Sequence, residues 1–118
     1  MEQLFNKVRE YLKMTEELPF VAFSGYFNDV TGYLQQNYQD MNDDDLIKAY
    51  GICGIVASNA EARAGHKDAN RKKFTKMAEK TRFWEDAIKT RFVKGGMLPN
   101  ELEEKCAAFF KEEPAAKG

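Results

Sequence analysis

Residues 49–57, Ala-Tyr-Gly-Ile-Cys-Gly-Ile-Val-Ala, are the longest apolar run in the chain. They restrict the available folds more than any other stretch. The run is too short to cross a membrane, which takes about 20 residues. It lies inside a longer segment, 43–64, with the marks of one helix. Asn42 or Asp43 can cap its start, and Asp43, Asp44 and Asp45 suit the positive end of the helix dipole. Gly65 is a natural stop.

On a wheel with steps of about 100°, Leu46, Tyr50, Cys53, Gly54, Ala57 and Ala64 share one face. Ile52 and Ile55 point the other way, and Val56 lies on the shoulder. The middle of this helix is therefore apolar all round, which implies burial on more than one side. A small bundle covers one side of its own member. The second cover must be either the C-terminal helix of the same chain or a second copy of the protein. Gly51 and Gly54 allow a neighbouring backbone to come close. Gly51, Ile52, Ile55 and Val56 are accordingly the candidate interface, and a homodimer is the expected assembly.

The other segments also show helical spacing. Segment 2–17 sets Leu4, Val8, Tyr11, Leu12 and Thr15 on one stripe and ends before Leu18-Pro19, because a residue preceding proline is pushed out of the helical region. Segment 20–38 steps through Phe20, Phe23, Phe27, Val30, Leu34 and Tyr38. That spacing favours one helix over a hairpin turning near Asn28–Gly32, although Gly25 and Gly32 then face away from the stripe. Segment 68–94 starts at Asp68 as a cap, carries Phe74, Met77, Thr81, Trp84, Ile88 and Phe92, and stops at Gly95-Gly96. Segment 100–112 opens with Asn100 and Glu103 as a capping-box pair and presents Leu102, Cys106, Phe109 and Phe110 inward. Four long helices with short links predict an all-α, antiparallel four-helix bundle with a short fifth C-terminal helix. Residues 1–112 form one domain and 113–118 a flexible tail.

Chemistry is thinly represented. The chain's one histidine, His66, falls in a link, so Cys53–His66 or Cys106–His66 is the sole nucleophile–base pairing open to it, and Cys53 sits on the core stripe. No Glu-x-x-His pair suits a ferritin-like metal site. The stretch Asp40–Gly51 lacks the glycine and glutamate that a calcium loop needs. Neither a catalytic role, a metal nor a cofactor is expected. Two isolated cysteines outside any C-x-x-C pair read as free thiols in a reducing, cytoplasmic setting. Glu61 lies beside Ala57 and Ala64 on the wheel, a possible buried carboxylate that would need Arg91 or Lys73 as partner.

Eighteen basic and 19 acidic side chains nearly cancel, but they are unevenly placed. Residues 66–95 hold ten Lys or Arg against four acids, and residues 1–65 hold five against ten. Lys72, Lys76, Lys80 and Lys94 fall on one outer stripe with Phe83 among them. Such a stripe can bind an acidic protein surface or, through the basic helix 67–94, a nucleic acid; unless neighbouring acids balance it, it needs an anionic partner. The expected function is contact with another protein, with nucleic-acid binding as the alternative.

Overall fold

The computed structural model describes residues 1–66 and 69–112. Its elements are α1 (Glu2–Leu12), α2 (Phe20–Asn37), a single 3₁₀ turn (Tyr38–Asp40), α3 (Asp43–Ala64), α4 (Arg71–Lys94) and α5 (Pro99–Lys111). The fold is an all-α bundle with a short C-terminal helix, and 83% of the described residues are helical. The expected tail, 113–118, and the Asp68 cap lie outside the described residues.

Cross-helix contacts fix the directions. Gly54 faces Glu85, Glu61 meets Arg82, and Arg63 lies over the Phe74 ring. Rising numbers on α3 meet falling numbers on α4, so these two run antiparallel. Lys48 pairs with Glu2 and Arg63 with Glu17, which makes α1 parallel to α3. Phe20 and Phe23 pack edge-on against Phe74, and Tyr38 packs against Trp84, which makes α2 parallel to α4. The four helices thus alternate up and down. The core between them includes Phe23, Val30, Leu34, Leu46, Ile52, Phe74 and Ile88.

Local signals explain most of the boundaries. The Asn42 side chain accepts from the Asp45 N–H at 2.8 Å and caps α3. Gly65 and Gly95 cap the C-termini of α3 and α4. Gly96 follows at φ 104°, in the left-handed region that glycine occupies without a Cβ penalty. The start of α5 lies earlier than Asn100. Leu98 is its N-cap, Pro99 its first residue, and Glu101 accepts from the Leu98 N–H at 3.2 Å. Glu103, the expected partner in the capping box, bonds Tyr50 instead.

Helix α1 stops at Leu12, five residues before the expected Glu17. Residues 13–17 are all exposed. A helix is held mainly by burying an apolar face, and this stretch has none to bury. Conversely Phe5, left out of the predicted stripe, is buried. It packs against Phe109 and Phe110 of α5 with centroid separations of 6.4 and 4.7 Å. Segment 20–37 is one helix, so the hairpin is excluded. A Cβ added at Gly25 or Gly32 would meet nothing within 4 Å. Neither glycine marks a close approach within the described chain.

The two apolar sides of α3 are both covered by the same chain. Helix α5 crosses α3 steeply: Glu103, Cys106, Phe109 and Phe110 all lie against the short span Lys48–Gly51. A Cβ at Gly51 would come within 2.5 Å of the Phe110 ring and 2.6 Å of Cys106 Sγ. Ile52 is completely buried and Val56 nearly so. Helix α5 thus covers α3 at Gly51, while Ile55 and Val56 face the end of α1 and Phe23 and Tyr26 of α2.

Gly51→Ala is expected to destabilise the protein by about 1–3 kcal/mol through overpacking against α5. Gly25→Ala is expected to stabilise it by about 0.5–1 kcal/mol. Urea denaturation of the two variants checks both signs.

Candidate functional site

Four places hold chemically capable side chains: the edge of the α3–α4 seam, the buried thiols of α3 and α5, the outer face of α4, and a cavity at the end of α1.

At the seam, Arg82 binds two carboxylates. Its Nε and one terminal nitrogen donate to the two oxygens of Glu61 at 3.0 and 2.8 Å. Its other terminal nitrogen donates to Glu85 at 2.7 Å. Glu85 lies on Gly54, where a Cβ would stand 2.9 Å from its carboxylate oxygen. Glu61 is not a buried carboxylate: its side chain is 51% exposed, and its partner is Arg82 rather than Arg91 or Lys73. The wheel placed it beside buried alanines, but it stands on the shoulder of α3, where α4 leaves room for a long side chain. Bidentate bonding to Arg82 holds its carboxyl below the ordinary value. Every charge here is already paired, so the cluster behaves as a clamp between two helices.

The thiols are poor nucleophiles. Burial pushes Cys53 up to about 12 and Cys106 up to about 11, so both stay protonated at neutral pH. His66 lies exposed just beyond α3. The Tyr50 hydroxyl donates to Glu103, and burial and that bond together raise its pKa. Among the described residues no three His, Cys, Asp or Glu side chains gather to hold a metal.

The outer face of α4 differs. Lys72, Lys76, Lys80 and Lys94 are exposed, and the Phe83 ring among them is 64% exposed. None of these lysines lies within ion-pair distance of a carboxylate among the described residues. Phe83 packs against Trp84 at 5.6 Å, and Trp84 against Tyr38 at 5.3 Å. Arg91 completes the row. It stacks over the Tyr38 ring at 5.1 Å and donates to the Tyr38 carbonyl at 3.1 Å. The stripe read from the sequence is thus a continuous exposed surface. Its connection to Tyr38 and Arg91 depends on α2 running parallel to α4, which no local pattern encodes.

Ile55, the fourth residue of the candidate interface, is half-buried. With Val56 it lines a half-open cavity of about 280 Å³, together with the end of α1, residues 14–18 and Phe23 and Tyr26 of α2. Arg63 stands at its edge.

No family model, curated protein or solved structure matches this chain.

A carboxyl held below its ordinary value stabilises the fold above that value and stops doing so as the pH falls through it. Glu61→Gln is therefore expected to be slightly less stable than wild type at pH 7, with the gap closing below about pH 4.5. Urea midpoints that differ equally at pH 7 and pH 3 would contradict this.

Proposed function

We propose that this chain works by protein–protein contact, associating with a second copy of itself through the outer face of α4. One observation carries the reading: a largely exposed phenylalanine ring stands in a row of lysines with no carboxylate counter-ion among the described residues. An exposed aromatic ring is the kind of side chain that anchors an interface, with the lysines around it as a charged rim. The lysines want an acidic surface opposite. The chain carries one at the start of α3, where Asp43 and Asp44 are exposed beside Asp40. A two-fold arrangement lets the lysine row of each copy meet the acids of the other, as isologous symmetry requires. The waist of α3 lends this association no support, because Ile52 and Val56 are buried within the chain.

No helix among the described residues is long and apolar enough to cross a membrane. The two free thiols support a reducing, cytoplasmic location. A second reading, single-stranded nucleic acid on the same face, has its own support. Lys72, Lys76 and Lys80 recur about 6 Å apart along the helix axis, and Phe83 offers a ring on which a base can stack.

Sedimentation at rising concentration in low salt is expected to show the mass climbing above 13.5 kDa. About 0.5 M salt should weaken the association by screening, and Phe83→Asp should abolish it with the helical circular dichroism unchanged. A wild-type chain that stays monomeric throughout overturns the self-association. Salt-sensitive binding of a single-stranded oligonucleotide by that monomer, lost in the Lys72→Glu/Lys76→Glu variant, would establish the second reading instead.

A further inference from the structure

The cavity at the end of α1 has a chemistry of its own. Its floor is apolar, with Val8, Phe23, Ile55 and Val56, and its volume is about 280 Å³. That is nearly twice the volume of a cavity that accepts benzene, about 150 Å³. At its edge lies Arg63, whose side chain is 12% exposed. The guanidinium packs over the rings of Phe23 and Phe74 at 5.0 and 4.5 Å. Its one carboxylate partner among the described residues is Glu17, at 3.6 Å, beyond hydrogen-bond distance. A guanidinium stacked through its face keeps its in-plane fork of N–H donors for an acceptor. Glu17 holds that place loosely: its side chain is 68% exposed, and it belongs to a link that forms no helix or strand.

We propose that this cavity is a binding site for an amphipathic monocarboxylate, an unbranched chain of about eight carbons or a bicyclic aromatic acid. The apolar body fills the space over Ile55 and Val56. The carboxylate replaces Glu17 on Arg63 and accepts two hydrogen bonds from the fork. Glu17 swings into solvent at little cost because nothing else secures it among the described residues. Burial decides the sign of the head group: Arg63 is the mostly buried ion, while the lining carboxylates Glu16 and Glu17 are exposed on the link and can turn to solvent. This site is independent of the outer face of α4.

The test is calorimetric titration of the full chain with octanoate, octan-1-ol and octylamine. Octanoate is expected to bind saturably at one site with a Kd of about 1 mM or tighter, at least tenfold tighter than octan-1-ol. Arg63→Gln should weaken octanoate at least tenfold. Because Arg63 also packs on two rings, that variant can lose the fold, so Glu17→Gln supplies the second measurement. Glu17 is exposed on a link, and removing its charge frees Arg63; octanoate should then bind about threefold tighter or better. The proposal is overturned by an absence of saturable octanoate binding. It is equally overturned by octan-1-ol binding as tightly as octanoate, by octylamine binding more tightly, or by Glu17→Gln leaving the octanoate affinity unchanged or lower.

Discussion

The structure depends on how closely α5 lies across α3. Two helices ordinarily pack with about 8–10 Å between axes, and the side chains at the crossing set that separation. At Gly51 there is no side chain, and the Phe110 ring and Cys106 sulfur occupy the space. The approach buries the flank that a four-helix bundle leaves bare. It also brings Phe109 and Phe110 onto Phe5, Lys48 over the rings of Phe5 and Phe109, and the Arg9 guanidinium onto the Glu112 carbonyl. Cover at Gly51 and an added hold on α1 are thus consequences of one crossing. The second close approach, Glu85 on Gly54, works the same way on the α4 side, where Arg82 then bridges Glu85 and Glu61.

These two glycines also divide what the sequence discloses from what it does not. The helices were legible because each apolar stripe repeats at three and four residues. Phe74, Met77, Thr81, Ile88 and Phe92 are all buried as that spacing implies. The need for a second cover over α3 was legible too, since an apolar waist cannot face water on any side. Which neighbour supplies it was not, because periodicity describes one helix at a time. Phe5 differs: three residues before Val8, it lies on the buried side of α1 by spacing alone, and the rings of Phe109 and Phe110 meet it there. Glu61 shows the reverse. A wheel gives an angle but no depth, and near the end of α3 the inner face has already reached solvent.

Of the candidate surface, the lysine row and Phe83 could be read directly, because an exposed helix face follows from spacing alone. Tyr38, Trp84 and Arg91 join it through a parallel pairing of α2 and α4 that spans about half the chain. The cavity under the link 13–19 was illegible for a related reason. It lies where α1 ends five residues early, and the exposed link that follows lines it together with Ile55.

The strap formed by α5 has an implication for biogenesis. During synthesis α3 emerges well before α5, and a connection of that sequence separation closes slowly compared with helix formation. Until α5 has been made, the flank at Gly51 lacks the cover that Cys106 and Phe110 supply. A nascent chain paused after α4 would present a greasy, glycine-smoothed groove to whatever chaperone or neighbouring chain lies nearby. Completion of α5 covers that groove, placing Cys106 and Phe110 against Gly51.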